Sequence, residues 1–227
     1  MPLVFDYVCA FCPLPFAFRI PQTLTERSFF IEADGWCPQA RQVTCTNFDE
    51  RPEGTDISLL VVHNISLPPG EFGGDYIEAL FANRLDCDAH PYFEQLRGLR
   101  VSAHFLIRRD GGVVQFVSTL ARAWHAGVSV FNGRERCNDF SIGIELEGSD
   151  FTDFCDAQYV SLAELTHALR ARHPMSAVRG HEHVAPSRKT DPGPYFNWRR
   201  FERDFAAVHA KHKNPLTQHQ QNLSFPD

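Results

Sequence analysis

Ser58-Leu59-Leu60-Val61-Val62-His63 is the run from which the fold is read. It is short, continuously apolar and β-branched at Val61 and Val62, which predicts a buried strand rather than a surface helix. The strand delivers His63 at its carboxyl end. Residues 64–74, rich in Pro and Gly, then form a loop, so the imidazole lies where α/β folds commonly carry functional groups.

Periodicity extends the pattern in both directions. Asp75, with Glu78 three residues later, predicts a capping-box start for a short helix that buries Ile77, Leu80 and Phe81. Residues 103–107 and 113–117 flank Arg109-Asp110-Gly111-Gly112, whose Asp-Gly pair supplies the positive backbone angles of a tight hairpin turn. Residues 141–146 alternate, with Ile142, Ile144 and Leu146 on one face and Gly143, Glu145 and Glu147 on the other. Glu145 is therefore expected to point away from the core. Leu162, Leu165 and Leu169, following a cap at Asp156, predict an amphipathic helix that ends before Pro174. A strand near 177–179 leads into His181. Trp198, Phe201, Phe205 and Val208 recur at helical spacing after Asn197 and predict a last helix with one aromatic face turned inward. Strands and helices mix without a strict repeat, so the expected class is α/β (mixed α+β).

Composition narrows the function classes. The chain has 227 residues, 43% hydrophobic and 22% charged, which suits one globular domain with extensions. A net charge of -6, without Lys/Arg runs interleaved with aromatics, argues against nucleic acid as a partner. No apolar run reaches the ~18 residues of a membrane span, because Asp6, Pro13, Pro15 and Arg19 interrupt the best candidate. The leader also lacks the basic start and small-residue cleavage site of a secretion signal. Seven scattered cysteines make a poor disulfide framework and fit reduced thiols in the cytoplasm. Only Cys9 and Cys12 form a C-x-x-C pair, with nothing nearby to complete a metal site. Residues 1–30, rich in Phe and Pro without a period, read as an appended extension. Residues 31–210 read as the domain, and 211–227 as a polar, poorly ordered tail.

Chemistry concentrates in Gly180-His181-Glu182-His183-Val184-Ala185-Pro186-Ser187-Arg188-Lys189-Thr190-Asp191-Pro192-Gly193-Pro194. An imidazole and a carboxylate suit a zinc ion, which needs three protein ligands when it activates water. The third ligand must come from elsewhere, and His63 is a candidate. His181 and His183 are alternatives, because residues two apart share a direction only on extended backbone. Asp191 before Pro192 also suits a turn. Glu145 suits a solvated strand edge, and Lys189 a surface charge. Together, however, a metal, a carboxylate base and a cation are what amide hydrolysis requires.

Four stretches carry a family resemblance. They are Leu-Val-Val-His-Asn-Ile-Ser-Leu-Pro-Pro-Gly-Glu-Phe-Gly-Gly from Leu60, Arg-Val-Ser-Ala-His from Arg100, Glu-Arg-Cys-Asn-Asp-Phe-Ser-Ile-Gly-Ile-Glu-Leu-Glu-Gly from Glu135, and the His181 segment. In the same order, over about Glu32 to Phe205, they resemble the AmpD-type N-acetylmuramoyl-L-alanine amidases of the amidase_2 family. The resemblance implies a central mixed β-sheet flanked by helices, as in peptidoglycan recognition proteins, and one zinc ion per chain. The implied ligands are His63, His181 and Asp191, with His183 a neighbour. Glu145 is implied as the general base and Lys189 as the transition-state cation. The implied substrate is a cytoplasmic 1,6-anhydro-N-acetylmuramyl peptide of cell-wall recycling, cut between the lactyl group and L-alanine. Asn64, Arg100, Trp124 and Arg136 lie in matching segments and are expected substrate contacts, the arginines suiting stem-peptide carboxylates.

No membrane, nucleic acid or obligatory protein partner is implied. A non-hydrolytic binding module of the same fold would usually lack a ligand, whereas this chain keeps all five residues. An amidase acting on intact wall outside the cytoplasm would need an export signal. The family typically begins near Glu32-Ala33-Asp34-Gly35-Trp36, so the residues before about 30 are expected to derive from a start codon assigned upstream.

Overall fold

The computed structural model describes residues 28–212 and 222–226. The Cys9/Cys12 pair, the rest of the leader before residue 28, and residues 213–221 of the expected tail lie outside the described residues.

In chain order the strands are β1 (Arg41–Gln42), β2 (Phe48–Asp49), β3 (Leu59–Ile65), β4 (Phe105–Ile107), β5 (Val113–Gln115), β6 (Arg122–Ala123), β7 (Val130–Phe131), β8 (Arg134–Glu135), β9 (Ser141–Glu147) and β10 (Ala177–Gly180). The helices are α1 (Tyr76–Phe81), α2 (Asp156–Arg172), α3 (His181–Val184) and α4 (Trp198–Lys211), with short 3-10 turns at Pro91–Leu96 and Cys137–Asp139. Six strands form one sheet in the order β1-β5-β4-β9-β3-β10. Only β4 and β5 pair antiparallel within it, so the sheet is mixed, as expected. Two small ribbons, β2 with β6 and β7 with β8, lie outside it.

The Asp-Gly turn forms as predicted. Gly111 takes φ +79°, and a Cβ there would come within 2.7 Å of the Ala157 carbonyl oxygen. The expected capping box at α1 does not form. Asp75 makes no side-chain cap hydrogen bond, because Glu78 is drawn instead to Arg41 and Arg108. Helix α2 is capped one residue earlier than expected, at Cys155, whose N–H donates to Gln158 Oε1 at 3.0 Å. Nor is α2 a surface helix with one wet face, since most of its circumference is buried between the sheet and α4. Helix α4 starts as predicted, with Asn197 Oδ1 accepting from Arg200 N at 2.9 Å.

Alternation along the strands divides core from chemistry. On β3 and β9, Leu60, Val62, Ile142, Ile144 and Leu146 share one apolar cluster with Leu162, Leu165 and Leu169 of α2 and Phe201 and Phe205 of α4. Each such buried side chain is worth about 1.5–3 kcal/mol. Leu59 and Val61 point the other way, into a cluster with Ala126, Phe140 and Val184. By the same parity His63 and Glu145 belong to this second face. His63 lies opposite Glu145 in the β3–β9 register, and Gly180 lies opposite Val62, so His181 follows level with His63. One row across the carboxyl ends of three parallel strands therefore carries all three residues.

Two expected boundaries shift. Phe29, assigned to the appended extension, is 7% exposed and belongs to the main core. The expected polar tail is not uniform. Helix α4 runs to Lys211, and Ser224 pairs with Ala177 beside β10 while Phe225 packs 5.3 Å from Phe201. Apolar Leu223 and Phe225 draw this segment back onto the core. No described helix is long and apolar enough to cross a membrane.

Candidate metal centre and catalytic cleft

His63 Nδ1, His181 Nδ1 and Asp191 Oδ2 converge: the two nitrogens stand 3.1 Å apart, and the carboxylate oxygen is 2.9 Å from His63 and 3.1 Å from His181. Among the described residues this is the one group of three or more such side chains that could hold a metal ion. The long loop after α3 is tied back where Glu182 N donates to the Asp191 carbonyl at 2.9 Å, which brings its carboxylate to the row. His181 Nε2 meets the Ala126 carbonyl at 3.0 Å, an acceptor only, so that ring nitrogen carries the proton and Nδ1 offers a lone pair. Burial pushes the His63 pKa down to about 4 against the pull of the adjacent Asp191 carboxylate, so this ring is neutral at pH 7. For Asp191 burial acts upward, but the close approach of His181 and His63 prevails and holds its carboxyl far below the ordinary range. Two neutral imidazoles and one carboxylate fit a zinc ion that retains an open fourth position.

The alternative between His181 and His183 is decided by α3. Because the backbone turns helical at His181, residue 183 swings away: its Nδ1 accepts from Gly180 N at 2.9 Å and its ring packs against Trp198.

His63, His181 and Asp191 line a cleft of about 680 Å³ together with Glu145, Lys189, Asn64 and Trp124. Glu145 is 9% exposed, and its Oε2 is buried without a hydrogen-bond partner. Burial and the nearby Asp191 charge raise its pKa well above the ordinary value, opposed by Lys189. Glu147, on the same strand face and 1% exposed, is fully engaged by Gly73 N, Arg109 N and Arg108. Lys189 is exposed at the cleft rim.

The four expected substrate contacts divide. Asn64 is held by Asp150 Oδ1 at 2.7 Å and the Pro192 carbonyl at 3.1 Å, and Trp124 stands half-buried in the wall. Arg100 and Arg136 do not line the cleft. Arg100 is exposed, and its neighbours Leu99 and Val101 line the cleft. Arg136, in left-handed backbone, is turned to Asp139 at 3.2 Å.

Sequence reasoning passed over His125, which meets His63 Nε2 at 2.9 Å, and Arg188, whose guanidinium donates to the Ala126 and Val128 carbonyls at 2.7 Å. It also passed over Arg51. Burial lowers the pKa of that guanidinium to about 10, and it donates to the carbonyls of Asn138, Asp139 and Ser141. None of these residues has a sequence spacing that marks it, because their partners lie up to 90 residues away.

Comparison with known proteins bears on this geometry. Residues 53–194 match the Amidase_2 family, described as N-acetylmuramoyl-L-alanine amidase. The chain is 60% identical over 170 residues, 74% of its own length and 91% of the relative's, to the 1,6-anhydro-N-acetylmuramyl-L-alanine amidase AmpD of Citrobacter freundii. It is 59% identical over 169 residues, 74% and 92% of the two lengths, to the AmpD of Escherichia coli K12. A crystal structure of a selenomethionine AmpD derivative superposes with a TM-score of 0.74 at 57% identity, covering 77% of this chain and 98% of that one.

Proposed function

Because this chain belongs to the N-acetylmuramoyl-L-alanine amidase family, we propose that it is a zinc-dependent amidase of cell-wall recycling. It hydrolyses the amide between the lactyl group of 1,6-anhydro-N-acetylmuramic acid and L-alanine in cytoplasmic muropeptides. The names of the relatives at 59 and 60% identity support this substrate, and five described cysteines that are all free thiols suit a reducing compartment.

One observation carries the reading: an unpartnered, buried carboxylate oxygen on Glu145 lines the same cleft as a convergent His63, His181 and Asp191. Leaving such a group unsatisfied costs about 1–3 kcal/mol or more, a cost understandable where the group must accept a proton. His63, His181 and Asp191 would hold one zinc ion per chain, which would supply Lewis acidity for the scissile carbonyl and for water. Glu145 takes the proton of the attacking water and delivers it to the departing L-alanine nitrogen. Lys189, at the rim, offsets the negative charge that develops on the carbonyl oxygen. Asn64 and Trp124 contact the muropeptide. The catalytic domain is residues 31–210, with Phe29 and the segment around Ser224 packed against it.

The test is to measure the zinc content of the purified protein and incubate it with anhydro and non-anhydro muropeptides side by side. We expect one zinc per chain and faster peptide release from the anhydro substrate. Zinc binding without release from either would make the chain a binding module, and equal rates would remove the recycling assignment.

A further inference from the structure

We propose that His125 is a positioning residue that fixes the tautomer of the metal ligand His63, through a hydrogen-bond chain that can run in only one direction. The inference rests on the reading of His63 as a ligand. It concerns a histidine that neither donates to the three-ligand cluster nor forms part of it.

The direction follows from the far end of the chain. The Cys137 carbonyl oxygen has no proton to give, so Ser141, whose Oγ lies 2.5 Å away, must donate to it. The serine oxygen is then left to accept, and its neighbour is His125 Nε2 at 3.2 Å. With its one proton on Nε2, neutral His125 presents Nδ1 as an acceptor, and His63 Nε2 lies 2.9 Å from it. When Nδ1 faces a metal ion together with His181 and Asp191, His63 therefore carries its proton on Nε2 and donates it to His125. The second ligand reaches the same tautomer by a direct bond to the Ala126 carbonyl. Both imidazoles are thus set by their far nitrogens, the arrangement by which outer partners orient metal-bound histidines.

The seat of His125 is built for it. A Cβ on Gly143 would lie 2.4 Å from His125 Cγ, so only glycine at this point of β9 lets the ring rest on the strand. The Asn138 side-chain oxygen accepts from the backbone N–H groups of His125 and Ala126 at 3.2 and 2.8 Å. Arg51 in turn clamps the carbonyls of Asn138 and Ser141 at 3.0 and 2.9 Å.

The full-length protein and its His125→Phe, His125→Asn and Ser141→Ala variants test this by two readouts. Nitrogen-15 NMR of the zinc-loaded protein reports which nitrogen of His63 bears the proton, and competition with a chelator gives the zinc dissociation constant. We expect the wild-type proton on Nε2. His125→Phe should weaken zinc about 10–100-fold. His125→Asn, whose carbonyl can still accept from His63, should stay close to wild type, and Ser141→Ala should fall between. Should His125→Phe not fold, Ser141→Ala decides, and unchanged affinity with an unchanged tautomer overturns the proposal. A wild-type proton on Nδ1, undiminished affinity in His125→Phe, or Asn performing as poorly as Phe would each overturn it as well. A wild-type protein that binds no zinc would instead overturn the metal reading on which the proposal stands.

Discussion

Glu145 and Glu147 sit two residues apart on one strand and point to the same side of the sheet, yet their surroundings are opposite. Glu147 accepts from two backbone N–H groups and is paired to Arg108, which also holds Glu78. Glu145 has a buried oxygen with no partner. The first carboxylate closes a polar network that ties the loop before α1 and the β4–β5 turn to the sheet. The second stands beside His63, His181 and Asp191 with a lone pair to spare. Burial alone does not separate structure from chemistry. Whether the hydrogen bonds of a buried group are completed does.

The sharpest way to break this contrast is Glu145→Gln, which keeps shape and removes basicity. It should lower turnover about 10²–10⁴-fold with zinc still bound, measured as muropeptide cleavage alongside metal content. Undiminished turnover would strip Glu145 of its role. Next, Arg108→Met leaves Glu147 and Glu78 buried with one partner fewer. It should cost about 3–5 kcal/mol of stability in denaturant titration, while the folded fraction keeps its activity. A loss of activity without a loss of stability would erase the distinction between the two carboxylates. Lys189→Ala should lower kcat by about 10²-fold with little change in melting temperature, because the side chain is exposed.

The smallest effect is one of pH. Burial and the Asp191 charge hold the Glu145 carboxyl above its ordinary value of 4.5, against the pull of Lys189. Below that value the acid is protonated folded and unfolded alike, and it costs nothing. As pH rises the unfolded chain gains by ionising first, and the folded state loses stability until pH passes the raised value. Metal-free Glu145→Gln should therefore be more stable than metal-free wild type near pH 8, and the gain should vanish near pH 4. Melting scans at the two pH values read this directly.

Much of this arrangement was legible from residue order. Alternation along 141–146 put Glu145 on the face away from Ile142 and Ile144, and the apolar run at 58–62 placed His63 at a strand end. Both are local properties of extended backbone. The identity of the second imidazole turned on whether the chain stays extended or coils at His181, a choice that spacing leaves open and the helical turn resolves. Arg100 and Arg136 matched by segment, but neither lines the cleft: Arg100 alternates with Leu99 and Val101, which do, and Arg136 pairs with Asp139. His125, Gly143 and Arg51 had no sequence signature, since their meaning exists only once three strands stand in register. The cap at α1 failed for a related reason: two arginines distant in sequence outcompete one backbone N–H for Glu78.

β10 is the outermost strand of the sheet, and it leads straight into His181. Its open side is covered where Val178 N donates to the Ser224 carbonyl at 2.8 Å and Ser224 N donates to Ser176 O at 2.9 Å. A bare strand edge is a template on which another molecule can add its own strand, the first step toward aggregation. Those few residues near the carboxyl end therefore act as a solubility guard, shielding from intermolecular pairing the very strand that leads into His181.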